Sequence, residues 1–379
     1  MAGIPRPLRD GRRGTLTHAL GVTRVARLTG LDRTGVEVAS AVRPDGHVLQ
    51  VTNGKGARFE DAALGALAEA AELWAAERPG PMPLASAAEL RARLGEGAVI
   101  GPGALAGGGA DPAWEALRVA WCQGVPLEGG APIAVPAQAV FCPPPGGPLL
   151  GPAVLTWTSN GMGAHPDPDR AALHALLEAV ERDQLARALP DGFTERELAR
   201  RLLDPGGLAA AAPRTAALAA SLEARGLRVH LLDLVPAGRR AGGLGLPVAG
   251  ALLGDPGGPV PLAAGYACRP GRDEALLAAL LEAAQSRATE IHGAREDVLH
   301  GDRASAAPLA ARCAALRPSR RAAALPSLAA PSPSAALRRI AGRLRAAGLG
   351  PAVRVALEGP PGLHVVKIVA PGLLRSELL

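Results

Sequence analysis

Three six-residue phrases place acids where one helical turn can grip one object. They are Leu67-Ala68-Glu69-Ala70-Ala71-Glu72, Leu176-Leu177-Glu178-Ala179-Val180-Glu181 and Leu280-Leu281-Glu282-Ala283-Ala284-Gln285. Residues three apart on a helix lie about 60° apart around the axis and roughly 4.5 Å along it, so each pair points the same way. The alanines between them let neighbouring backbones approach. Gathered in one place, the pairs amount to five carboxylates and an amide. An apolar site tolerates that charge only if the pKa values rise or divalent cations balance it. Hard oxygen ligands of this kind suit magnesium, above all magnesium shared with substrate phosphates. The spacing leaves a second reading open. A single Glu-x-x-Glu on an alanine-rich helix is ordinarily a solvated face, and alanine-rich composition multiplies accidental matches.

The elements that must carry these phrases follow from hydrophobic periodicity and turn residues. Val36, Val38 and Val42, then Val48, Leu49 and Val51, flank the turn RPDG at 43–46 and predict a hairpin. Lys55 follows between Gly54 and Gly56, and a helix is predicted over about 60–77, ending before Pro79. Residues 79–150 read as short helices between glycine- and proline-rich connections. AVLTWTSNG (153–161) reads as a strand leading through MGAHPDPD into a helix at 170–189. Arginine-rich helices at 194–226 precede a strand at 227–234 and another apolar run at 246–254, and a third long helix is predicted over about 274–291. Residues 301–349, interrupted by Pro308, Pro318, Pro326, Pro331 and Pro333, read as irregular helix plus linker, helical again near 334–347. HVVKIVA (364–370) closes the pattern as a strand. Strands and helices mix without strict alternation, which predicts an α+β fold rather than a doubly wound sheet.

Composition bounds the rest. A chain of 379 residues buries a full-sized core. Of its 41 basic residues all but Lys55 and Lys367 are arginine, the mark of GC-biased coding, so a pI near 9.8 is poor evidence for a nucleic-acid partner. Aromatic residues at 2% leave little for base stacking. Cys122, Cys142, Cys268 and Cys313 form no close pair, so neither a disulfide framework nor a zinc knuckle is expected. No uncharged apolar run reaches eighteen residues, and the first residues lack a signal-peptide core. The expectation is a soluble cytoplasmic protein with no membrane and no nucleic-acid role.

TSNGMGAHPDPDRAALHALLEAVERD resembles the central signature of the YcaO proteins: SNG, a small-residue loop, and a helix with E-x-x-E-R-D. ALLEAAQSRATEIHGARED resembles their later signature, EAAQSR followed by G-x-R-x-D. VTNGKG with its following helix resembles the early one, and VTRVARLTGLD and VVKIVAPGL match the opening and closing phrases. The resemblance runs in order from about residue 20 to 374. It implies a YcaO-type α+β fold, with mixed sheets packed with long helices around a central nucleotide and magnesium site. It also implies a single domain over 1–379. Within it lie N-terminal strands and the first acidic helix (15–78), a Gly/Pro-rich insert (79–150), an ATP-binding core (151–300), an Ala/Arg-rich segment (301–349) and a C-terminal strand and tail (350–379).

The activity implied by the resemblance is ATP-dependent activation of peptide backbone amides. A nucleophile adds to the amide carbonyl, the oxyanion is phosphorylated, and phosphate leaves. A neighbouring side chain as nucleophile gives an azoline, and an external sulfur donor gives a thioamide. Carried over residue by residue, Glu69, Glu72, Glu178, Glu181 and Gln285 match the family's nucleotide and magnesium ligands, and Glu282 falls in the same phrase. Arg182 and Arg287 match arginines near the phosphates, and Lys55 matches the GKG lysine. No general acid or base is assigned.

Gly65 and Leu73 stand where relatives commonly have serine and arginine, His165-Pro166 where many have glycine-asparagine, and Arg269 where many have histidine. Asn160, His165 and Asp167 are candidates for the lost contacts. The ending RSELL lacks the proline-alternating tail of azoline-forming members, so thioamide formation, usually with a TfuA partner, is slightly favoured. The implied partners are a precursor peptide, a TfuA-like or peptide-docking protein, and a second copy in a homodimer. The alternative is a nucleotide-binding relative without turnover that acts as a regulatory or peptide-binding partner.

Overall fold

The acid-bearing phrases fold as the three longest helices among the described residues, and each packs its alanine face against a strand glycine. The structure is a computed structural model that describes residues 10–106, 111–236, 243–255, 257–297 and 303–374. In chain order it begins with α1 (Asp10–Leu20), β1 (Arg24–Arg27), β2 (Glu37–Val42), β3 (Val51–Gly56) and α2 (Phe59–Ala76). Next come β4 (Leu84–Ala85), α3 (Ala87–Leu94), β5 (Val119–Pro126), β6 (Ile133–Pro136), β7 (Met162–His165) and α4 (Pro168–Ala188). Then follow α5 (Glu195–Arg201), β8 (Leu203–Asp204), α6 (Leu208–Ala211), α7 (Pro213–Glu223), β9 (Arg228–Asp233), β10 (Val248–Gly254) and β11 (Leu262–Cys268). The chain continues with α8 (Arg272–His292), α9 (Arg303–Ala315), β12 (Arg320–Arg321), α10 (Pro333–Ala346), β13 (Val353–Leu357) and β14 (His364–Val369). The fold is α+β: among the described residues the strand pairs are antiparallel except the short β8–β12 pair.

Two compact units divide these elements. The first takes the described residues of Met1–Ala70, Ala188–Val235 and Gly245–Leu328. It holds the sheet β1-β2-β3 and the sheet β11-β10-β9. Its core joins Val36 and Val38 of the first sheet region, Ala249, Ala251 and Leu253 of β10, and Leu276, Ala279, Leu280 and Ala283 of α8. The second takes Ala71–Arg187, Pro236–Leu244 and Ala329–Leu379. Its six-stranded sheet runs β4-β5-β13-β14-β7, with β6 also paired to β5.

Glycines set how closely the helices seat. A Cβ on Gly54 of β3 would strike the backbone of Ala62 and Ala66 in α2, and one on Gly265 of β11 would strike that of Ala279 and Ala283 in α8. In the second unit a Cβ on Gly163 of β7 would meet Ala171 O and, at 3.1 Å, the nitrogen of Ala175 in α4. Small residues on both sides let helix and strand backbones touch. Gly265→Ala forces the α8 backbone off β11 and is expected to cost about 1–3 kcal/mol, read by denaturant unfolding. An unchanged midpoint would show that this seat has slack.

Four local expectations are corrected. The hairpin forms, with Val42 opposite Val51, but Val48 and Leu49 lie in its connection rather than in β3. The stretch 153–160 is not a strand because side chains take its backbone groups. Gln138 Oε1 accepts from the amides of Val154 and Leu155, and Lys367 Nζ donates to the carbonyls of Thr158 and Asn160. The strand begins after it, at Met162. Residues 79–150 hold strands as well as a short helix, among them β5 and β6, which pair with each other. Pro308 lies inside α9 instead of breaking it. No described helix is long and apolar enough to cross a membrane. None of the four cysteines forms a disulfide, and burial pushes the Cys122 thiol up to about 12 and Cys313 to about 11.

Candidate functional site

In the first unit the early and late signatures meet. Lys55, at the end of β3, donates to Glu282 Oε2 of α8 at 3.0 Å, and both side chains are about three-quarters buried. Glu69 Oε2 of α2 accepts the backbone N–H of Asn53 at 2.9 Å, and its Oε1 lies 3.7 Å from Arg295. Arg295 also holds Asp297 in a two-point bond. The Asn53 amide nitrogen donates to Thr289 Oγ1 at 2.8 Å, and that hydroxyl donates to the carbonyl of Gln285. Burial pushes the Glu69 carboxyl above its ordinary range, opposed by Arg295, the Asn53 N–H and Lys55. A carboxyl raised in the folded state contributes stability at low pH that is lost as pH rises through its folded pKa, so a cation at Glu69 would matter most on the alkaline side.

Arg287 has a different environment. It is 1% exposed, donates to both oxygens of Asp32 at 3.0 Å and to Val260 O at 2.7 Å, and lies 2.6 Å from Asp255. Arg33 closes the cluster on Asp255. What this guanidinium grips is a pair of carboxylates from the connection between β1 and β2 and from the end of β10, in the same unit.

In the second unit β7 and the loop before it fasten acids from two helices. Glu72 Oε1 of α2 accepts the Ala164 N–H at 2.8 Å, and Glu178 Oε1 of α4 accepts the Gly161 N–H at 3.3 Å. Glu72 and Glu181 are buried, and Arg182 Nε stands 3.7 Å from Glu181. Asp183, fully buried, takes Arg187 and the Leu374 N–H, which ties the chain after β14 to α4. Lys367 of β14 is 4% exposed. Besides its two carbonyl acceptors it faces the Trp157 ring at 5.5 Å from the centroid, so it pins the SNG loop that presents Gly161 to Glu178.

None of the six phrase positions is solvent-exposed. A solvated face therefore does not describe these pairs. The departures from the family pattern also acquire local reasons. A Cβ on Gly65 would stand 3.3 Å from the Gly54 Cα, so the glycine suits the tight β3–α2 seat. Leu73 is a core residue, Arg269 donates to its neighbour's carbonyl, and Pro166 is exposed. Asp167 caps α4 by accepting the amides of Asp169 and Arg170, which holds its carboxyl below the usual range. His165 Nδ1 accepts the Asp167 N–H. Asn160 Oδ1 is a buried acceptor without a partner among the described residues. Sequence reasoning passed over Asn53, Thr289, Arg295 and Lys367, although each but Thr289 stands one or two residues from a glycine or apolar run in a signature phrase.

Partly buried carboxylates steadied by backbone amides are hard donors of the kind that bind magnesium together with substrate phosphates, while among the described residues no three His, Cys, Asp or Glu side chains gather into a metal site by themselves. The comparisons narrow that class. A family model described as YcaO cyclodehydratase, ATP- and Mg2+-binding, matches residues 53–374. The chain belongs to the YcaO family, whose description includes binding of ATP and Mg2+.

An uncharacterized protein of Methanothermobacter thermautotrophicus is 31% identical over 297 residues, covering 76% of this chain and 71% of its own. An uncharacterized protein from the tfuA 3' region of Rhizobium leguminosarum bv. trifolii is 31% identical over 290 residues, covering 73% and 64%. Among solved structures, YcaO from Methanopyrus kandleri bound with AMPPCP and Mg2+ is similar with a TM-score of 0.70 and 25% identity, over 96% of this chain and 88% of that one. A heterocyclase in complex with substrate and cofactor shares the fold, with a TM-score of 0.70 at 20% identity, over 98% of this chain and 54% of that one.

Proposed function

We propose that this chain activates backbone amides of a peptide at the expense of ATP, leading to a thioamide in preference to an azoline. The observation that carries the reading is the steadying of paired acids by backbone amides, Glu72 by Ala164 and Glu178 by Gly161, in a chain of this family. The donor set is all oxygen and only partly exposed, which suits magnesium. Within the first unit we assign Glu69 and Gln285 to cation binding, Lys55 and Glu282 to nucleotide binding, and Arg287 to holding α8 in place; within the second we assign Glu72, Glu178 and Glu181 to cation binding and Arg182 to nucleotide binding. Bound ATP with its magnesium supplies a phosphoryl group and charge neutralisation.

The protein's own contribution is placement. Lys55, held on Glu282, keeps a compact cation at the end of β3. Lys367 fixes the loop whose amide orients Glu178, and the β7 amide fixes Glu72. With hydrosulfide as nucleophile the account balances: sulfur forms the C–S bond as the C=O π pair moves to oxygen, that oxygen takes the γ-phosphoryl group with release of ADP, and loss of the S–H proton accompanies C–O cleavage, leaving C=S and free phosphate. The whole chain is proposed to act as one YcaO domain. The M. kandleri structure, bound with AMPPCP and Mg2+, supports the cofactors. The relative from a tfuA 3' region supports a TfuA-like partner and with it the sulfur chemistry.

The test combines the purified chain, a TfuA-like protein, a candidate peptide, ATP, Mg2+ and sulfide. Phosphate release with a peptide mass gain matching oxygen replaced by sulfur is expected. A mass loss matching one water would place the activity with azoline formation instead. Nucleotide binding with no phosphate release under any partner combination would favour a regulatory or peptide-binding relative.

A further inference from the structure

The amide of Asn53 is oriented by its neighbours. Thr289 Oγ1 gives its only hydrogen to Gln285 O at 2.8 Å, so toward Asn53 it can only accept. The Asn53 atom 2.8 Å away is therefore Nδ2, and Oδ1 must face the opposite side. That oxygen is buried, in a residue only 4% exposed, and meets no hydrogen-bond donor among the described residues. A buried carbonyl without a donor is unfavourable and rare in folded proteins. The same residue anchors Glu69 through its backbone N–H. One side of Asn53 thus fixes a cation-binding acid, another is locked to α8, and the third presents an oxygen with nothing to bind. In the second unit the other Asn-Gly pair repeats the pattern: Gly161 N–H holds Glu178 and Asn160 Oδ1 lacks a donor.

We propose that Asn53 Oδ1 belongs to the coordination sphere of the cation that Glu69 holds, with Thr289 as the residue that aims it. The proposal rests on the ATP and magnesium reading. An amide oxygen adds a hard donor to the site without adding negative charge beside a carboxylate that is already costly to ionise. Thr289 is a positioning residue, since its hydroxyl decides which end of the amide faces α8.

The experiment measures Mn2+ binding by electron paramagnetic resonance, with and without ATP, on the full chain. Asn53→Ala is expected to weaken Mn2+ binding about tenfold or more with the thermal transition still cooperative. Thr289→Val, which leaves the amide free to turn, is expected to show a smaller loss in the same direction. Native-like Mn2+ affinity in folded Asn53→Ala would overturn the proposal and leave the ATP reading standing. If the native chain itself binds no Mn2+ in the presence of ATP, both fall together. Should Asn53→Ala fail to fold, Asn53→Asp decides. It keeps an oxygen there but loses the donor to Thr289, so a loss no larger than that of Thr289→Val is expected, and a tenfold loss overturns the proposal.

Discussion

Glu178→Gln and Glu181→Gln are each expected to stop ATP consumption, by about 100-fold or more, while the folded state survives. Glutamine keeps the volume and, at position 178, an oxygen able to accept the Gly161 N–H, so the loop contact is preserved. What disappears is one unit of negative charge that magnesium must balance. Glu181 is buried with Arg182 Nε 3.7 Å away, and the Arg182 side chain is partly exposed, so the cation left by the substitution keeps access to water. Thermal unfolding with and without MgATP separates the two effects: the variants should melt like the native chain alone and lose the ligand-induced rise. Retained turnover in both would take these residues out of the metal shell and remove the main support for the proposed chemistry.

Arg287→Met is expected to lower stability by about 3–5 kcal/mol, because it leaves Asp32 and Asp255 buried without their shared cation. The size of the loss comes from the two carboxylates left behind, not from the bond energy removed. A companion variant tests that account: adding Asp32→Asn and Asp255→Asn to Arg287→Met should recover part of the loss. The result also decides between two roles for this arginine. As a lock, its removal shifts the denaturant midpoint first and nucleotide affinity only through folding. As a phosphate contact, it would raise the half-saturating ATP concentration at unchanged stability. The latter outcome would overturn the positioning role assigned here.

The helices and most strands were legible because their causes are local. The apolar period that marks α2, α4 and α8 is written into consecutive residues, and predicted bounds fall within a few residues of those observed. The failures share one cause. AVLTWTSNG has the apolar content of a strand, yet its carbonyls and amides are claimed by Gln138 and Lys367 from elsewhere in the chain. Glycine- and proline-rich connections around them hid β5 and β6 in 79–150, whose pairing depends on each other rather than on their own letters. Pro308 shows the converse, a local breaker absorbed within a helix.

By itself the sequence determined the donor types, their helical spacing and the signature order that marks the family, since residue identity and a 3.6-residue period need no partner. Only the tertiary structure decided what each donor touches. Lys55 reaches Glu282 across 227 residues of chain, and Arg287 reaches Asp32 across 255. A guanidinium binds a carboxylate or a phosphate by the same planar fork, so its type alone says nothing of its partner. The choice is made by which groups folding brings within hydrogen-bond range and which it strips of water.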